Sequence, residues 1–216
     1  MVVGNLVKRQ KTVGVSFTLI AILGILIIAL GVSPGWNLSW NVEEGDLFSF
    51  YVKGFHNYEI LNDTVVIVNI STLPVIPSIL TRYTFESSIL EIDKISTTFE
   101  NGTDTGQYGF FLISRAILPC GGWEILDYLY VNPEDTSFGP SGGNLRGYIS
   151  KLESDYFYLG YEAVDFDASS GWNANISLET GIPYYIQYWR YDIFPENTTS
   201  PSVNLEYRVM LELFLI

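Results

Sequence analysis

Apolar positions along this chain follow two regimes that change over near residue 33. From Val13 to Ser33 the sequence runs for 21 residues without an ionisable side chain. As an α-helix rising about 1.5 Å per residue, such a segment reaches roughly 30 Å, the thickness of a bilayer's hydrocarbon layer. Lipid offers peptide groups no hydrogen-bonding partner, so a lone crossing segment satisfies them internally, as a helix. The pattern predicts a transmembrane anchor over 13–33, a stub over 1–12 and one larger domain over 34–216.

Past Ser33-Pro34-Gly35 the texture becomes aromatic and β-branched runs separated by Gly, Asn, Asp and Pro, which read as strands and turns. Strands are expected over 47–55, 58–61, 64–72, 83–91, 95–100 and 109–117, and again over 147–152, 156–166, 172–179, 183–192 and 203–215. Turn chemistry separates several of them, at Asn62-Asp63, Asn101-Gly102, Ser170-Gly171 and Thr180-Gly181. The last strand is the clearest: Val203, Leu205, Tyr207, Val209, Leu211, Leu213 and Leu215 alternate with Asn204, Glu206, Arg208, Met210 and Glu212. A helix would scatter those apolar positions around its circumference, whereas a strand gathers them on one face.

Between residues 121 and 131 the period changes. Trp123, Leu126, Leu129 and Tyr130 recur at helical spacing, and Asn132-Pro133 ends the segment, which predicts one short amphipathic helix. Residues 133–147 carry many chain breakers and no periodicity, the pattern of a long loop. The fold class expected is mainly β: an antiparallel β-sandwich or a strongly curved sheet or half-barrel, with one short helix and an N-terminal transmembrane helix.

Charge sets the orientation. Lys8, Arg9 and Lys11 precede the apolar run and no acid does, so 8 basic and 24 acidic residues follow it, a balance of −16. Cations flanking a span stay on the cytoplasmic side, which puts the N-terminus inside and the domain outside the cell. A cleaved secretory signal, with Ala29-Leu30-Gly31 as its cleavage region, is one alternative, although the apolar run exceeds the usual length of such a core. Pilin-like processing before Gly14 is another, but Val13 stands where a cation is expected. All three readings export residues 34–216. The acidic balance also argues against nucleic acid as a partner.

Six Asn-x-Ser/Thr acceptor sites support export, at Asn37, Asn62, Asn69, Asn101, Asn175 and Asn197. Asn69 lies inside an apolar run, so its use requires that face to be wet. The single cysteine, Cys120, excludes an internal disulfide, and a domain of this size buries a core without one.

Candidate chemistry is sparse. With one His, His56, and one Cys, familiar zinc sites lack ligands, and no Gly-x-Ser-x-Gly elbow is present. Asp165-Phe166-Asp167 sets two acids on one face of a strand, where they would serve as an acid and base pair or bind Ca²⁺. Ile176 stands where an EF-hand would place its bidentate Glu, so the site does not follow that pattern. No cofactor is implied. Aromatic residues make 15% of the chain. Tyr184, Tyr185, Tyr188 and Trp189 crowd one strand and form the candidate ligand platform, with core packing as the simpler role.

The opening Trp40-x-Val42-x-x-Gly45-Asp46, together with Pro119, Trp123 and Leu126, resembles uncharacterised archaeal membrane-anchored surface proteins. The resemblance implies a lone helix between strands and carries no activity. The function expected is a non-catalytic structural or recognition module of the cell envelope. It would be held to membrane lipid through 13–33 and contact envelope proteins or glycans. An extracytoplasmic carrier of a lipid or other apolar ligand, with the 121–131 helix as its lid, is one alternative. A carboxylate-based hydrolase using Asp165 and Asp167 is the other.

Overall fold

The computed structural model describes residues 37–57, 59–108, 110–130, 145–164, 168–195 and 203–216. The expected anchor at 13–33, most of the 133–147 loop, Asp165, Asp167 and Asn197 lie outside the described residues. Among the described residues no helix is long and apolar enough to cross a membrane.

Eight strands form one antiparallel sheet: β1 (Leu47–His56), β2 (Glu59–Ile70), β3 (Ile95–Phe99), β4 (Leu145–Leu152), β5 (Tyr156–Val164), β6 (Ala168–Ser177), β7 (Pro183–Pro195) and β8 (Val203–Leu215). Their order is β3-β2-β1-β8-β7-β6-β5-β4. Two meanders, β1 to β3 and β4 to β8, therefore meet along β1 and β8. That pairing runs in unbroken register from Phe50 opposite Leu215 to His56 opposite Val209. From residue 209 onward the expected alternation is realised: Val209, Leu211 and Leu213 are buried, and Met210 and Phe214 are exposed.

Period-two burial recurs on the neighbouring strands, so one face of the sheet is a continuous apolar surface. Val52, Leu213, Ile186, Ala174 and Leu159 stand side by side across β1, β8, β7, β6 and β5, all buried. This inner face is covered by helices where the sandwich alternative would have a second sheet. They are α1 (Arg82–Phe85), which runs on into a π-helical turn (Glu86–Leu90), α2 (Leu112–Ala116) and α3 (Trp123–Tyr130). Phe85, Ile89, Ile113 and Leu126 from these segments share one core with the strands. Trp123 packs on Phe157 with ring centroids 5.2 Å apart, and its indole N–H donates to Leu178 O at 3.0 Å.

The expected helix at 121–131 is present as α3. Two expected strands are helical instead. In 83–91 the β-prone Tyr83-Thr84-Phe85 masks a helix start: Thr81 Oγ1 accepts from Thr84 N–H at 3.1 Å while Thr84 Oγ1 accepts from Thr81 N–H at 2.8 Å, a reciprocal cap. Phe85, Ile89 and Leu90 then fall on one buried side. In 109–117 the mostly buried run carries no clear period, so alternation could not separate strand from helix; residues 112–116 form α2. Among the described residues α1 and α2 thus join the one expected helix. The strands expected over 58–61 and 64–72 are one strand, β2. Asn62-Asp63 is absorbed there as an irregularity in the β1–β2 register, between Val52 and Gly54 on the β1 side. Ser170-Gly171, expected as a turn, lies inside β6.

Gly54 makes the seam possible. Its φ is 136°, and a β-carbon there would stand 2.0 Å from Met210 O on β8. A side chain at this position collides with backbone and strains φ together. Gly54→Ala is expected to cost more than about 2 kcal/mol, read as a lowered urea midpoint with the slope unchanged. The exposed Tyr128→Ala, on the solvent side of α3, is expected to stay within about 0.5 kcal/mol of the parent.

Candidate functional site

Three features bear on function: a cleft at the C-terminal end of the π-helical turn, the outer face of the sheet, and the acceptor asparagines. The cleft encloses about 110 Å³ between Leu90, Glu91, Asp93, Phe111, Ser114 and Arg115. It lies close to Lys94, which is fully buried. The lysine ammonium donates to Ile89 O at 2.5 Å and Ile92 O at 3.4 Å. A helix end leaves its last carbonyls unsatisfied, and here a buried cation fills that role. Ser114 completes the staple, accepting from Lys94 N–H at 2.7 Å and donating to Ile92 O at 3.0 Å. The hydroxyl hydrogen is thus committed to a backbone carbonyl, and the lysine nitrogen donates to two more.

At the cleft rim, Glu91 accepts from Arg115 at 3.2 Å and from the Tyr148 hydroxyl at 2.9 Å. Burial pushes the Tyr148 phenol up, and its hydrogen bond to Glu91 adds to the shift. Burial pushes Lys94 down to about 7; Asp93 opposes the shift, Arg115 adds to it and Glu91 opposes it.

The single histidine lies at the end of β1. His56 meets Tyr108 edge-to-face at 5.2 Å, and the Tyr108 hydroxyl donates to Glu59 at 2.9 Å. Burial lowers the imidazole's pKa, against the pull of Glu59. Cys120 is buried, its thiol pushed up to about 11 by burial. Among the described residues no group of three or more His, Cys, Asp or Glu side chains is placed to hold a metal ion.

The aromatic residues of β7 divide between the two faces. Tyr188 points inward, opposite Leu211 and Trp172, while Tyr185 and Trp189 point outward. Tyr184 stands at the irregularity between Asn175 and Ile176, its ring 6.1 Å from Tyr156. The four do not form one platform. Instead Trp189 joins residues of other strands: Ile60, Phe55, Met210 and Trp189 stand side by side across β2, β1, β8 and β7. Opposite Trp189 on β6 is Gly171, where a β-carbon would stand 2.4 Å from the indole Cζ2 and 2.8 Å from Cε2. The indole therefore lies down over β6 in the space left by the missing side chain. No sequence signal marks this row, because its members come from four strands.

Two residues along each strand, a polar row crosses the same face: Lys53, Glu212, Gln187 and Asn173. Asn173 Nδ2 donates to Gln187 Oε1 at 3.2 Å. Beyond it lies a second aromatic row, Tyr51, Phe214 and Tyr185, continued by Asn175 and Tyr158. Tyr185 and Phe214 are 5.3 Å apart, and the Tyr185 hydroxyl donates to Glu212 at 3.0 Å.

Of the acceptor asparagines, Asn37, Asn62 and Asn101 are exposed. Asn101 sits in the turn after β3, its Oδ1 accepting from Thr103 N–H at 3.0 Å and Thr103 Oγ1 at 2.7 Å. Asn69 is held between Leu47 and Ser96 on the flanking strands, with its Oδ1 buried. Asn175 is half-buried within β6. The chain matches no family model, no curated protein and no solved structure.

Lys94 gives a pH dependence of definite sign. Between pH 7 and 10.5 the unfolded lysine binds a proton that the folded one does not, so stability rises with pH across that window and is lost as pH falls through 7. Relative to Lys94→Met, the parent's unfolding free energy is expected to climb between pH 7 and 8.5, by at most about 1.4 kcal/mol per pH unit, and to level off below pH 6. Urea titrations of both proteins at matched pH check this; parallel curves would refute the buried ammonium.

Proposed function

We propose that the chain is a membrane-anchored protein of the cell envelope whose exported β domain is a non-catalytic recognition module. The observation that carries this reading is the division of labour between the two sheet faces. The inner face is taken up by the protein's own helices, while the outer face keeps large apolar side chains in solvent, with Ile60 70% and Met210 37% exposed. Apolar side chains aligned across several strands, with polar groups between them, are the composition of contact surfaces.

Export is supported by the uncharged run at 13–33 with its cations on one side, and by the exposure of Asn37, Asn62 and Asn101. The non-catalytic part is supported by Ser114, whose hydroxyl hydrogen is held by the Ile92 carbonyl.

Protease added to intact cells of the source organism is expected to remove a C-terminal epitope, while the chain stays with membranes through an alkaline wash. Recovery of intact protein from the cytosol would sink the proposal. On the exported chain, glycopeptide mapping is expected to find sugar on Asn101 and none on Asn69, whose side chain is packed between two strands; modified Asn69 would mean that β2 is open when the glycan is added.

A further inference from the structure

We infer that the outer face of the sheet binds a neutral, linear polysaccharide of the cell envelope, laid across the strands with its sugar rings on Trp189 and its neighbours. The inference rests on the recognition reading above and names the ligand class for that surface.

Three observations converge on it. The first is the Trp189 indole, half-buried on the outer face, whose Cζ2 and Cε2 occupy the space above Gly171. A flat aromatic face suits the C–H face of a sugar ring, which is apolar and slightly positive against the ring's negative quadrupole. The second is the row itself. With strands about 4.8 Å apart, Ile60, Phe55, Met210 and Trp189 make a strip about 14 Å long, running across the sheet. A strip of this shape fits an extended chain better than a compact ligand.

The third is the alternation of rows. A polar furrow of Lys53, Glu212, Gln187 and Asn173 separates the Trp189 strip from the Tyr51, Phe214 and Tyr185 strip. Asn173 and Gln187 satisfy each other through one donor and one acceptor, which leaves the Asn173 carbonyl oxygen and the Gln187 amide nitrogen for an outside partner. Polysaccharides present the same alternation, flat C–H faces edged by hydroxyls.

Charge selects among partners. A bilayer would have to desolvate Lys53 and Glu212 in the middle of the contact, which is costly for unpaired charges. A polyanion is repelled by a domain that carries 24 acidic residues and few basic ones. A neutral glycan leaves the charged groups hydrated at its edges.

The test uses the full chain in mild detergent on columns of immobilised neutral polysaccharides, a β-glucan, a β-mannan, a xylan and chitin, and the neutral fraction of the organism's own envelope. Polygalacturonate serves as the acidic control. Retention is expected on at least one neutral column and not on polygalacturonate, with little change as salt is raised. Trp189→Ala is expected to lose at least about tenfold in affinity. Trp189→Phe, which keeps a flat ring and folding, recovers part of that loss. Tyr128→Ala, exposed on α3 away from the sheet's outer face, leaves retention intact.

No retention on any neutral column, or retention unaffected by both Trp189 variants, overturns the inference. So does a Trp189 effect on oligomeric state, read by analytical ultracentrifugation, with retention unchanged, because the face would then belong to a second copy. If the domain is shaved from intact cells yet binds no glycan, the ligand class falls and the recognition reading stands. If it is never at the surface, that reading falls first.

Discussion

The pairing of β1 with β8 is the contact on which the rest of this structure depends. It joins the first strand of the domain to the last, so the N-terminal and C-terminal meanders become one sheet only if that register forms. Because side chains alternate with a period of two, a slip of one residue would turn Val209, Leu211 and Leu213 out to solvent and bring Met210 and Glu212 inside. Burial of one sheet face thus specifies the seam. The seam in turn places Met210 beside Phe55 and Trp189 on the other face.

Both faces follow from that single register, but with opposite outcomes. Inside, the apolar rows are closed off by three short helical segments, none of which would hold its shape alone. The first is fixed at its start by the Thr81 and Thr84 exchange and at its end by a buried lysine. Among the described residues no carboxylate stands at salt-bridge distance from Lys94, whose nitrogen donates to the Ile89 and Ile92 carbonyls, and burial depresses its pKa. Outside, the same strands present apolar and polar residues in parallel rows that no helix among the described residues covers. A structural core explains the first face; the second is the surface on which the recognition proposal rests.

Much of the architecture is legible in the chain's patterning, and where it is not, the physical reason differs from element to element. Period-two alternation located β8 to the residue, and the helical spacing of Trp123, Leu126 and Tyr130 located α3. Residues 112–116 are buried on almost every side, so their sequence carries no face to read. Residues 82–90 contain β-prone side chains whose local preference is overridden by a cap and by packing on one side. Asn62-Asp63 carries turn chemistry, yet the β1–β2 ladder continues past it as an irregularity, because pairing on both sides holds the strand straight. Gly171 was read as a turn residue, when its lack of a side chain serves an indole from the next strand.

What the sequence by itself determined are properties that each segment carries alone: the uncharged run at 13–33, the acidic balance, the acceptor asparagines, the periods that make strands and α3, and the exclusion of an internal disulfide. Which residues stand together was decided by the tertiary structure. The crowding of Tyr184, Tyr185, Tyr188 and Trp189 in the chain points to one platform, but successive residues of a strand face opposite sides, and Tyr188 packs against the core from the inner face. The row that Trp189 does join draws Ile60, Phe55 and Met210 from three other strands. Their proximity is a consequence of register, a long-range pairing that no local pattern encodes.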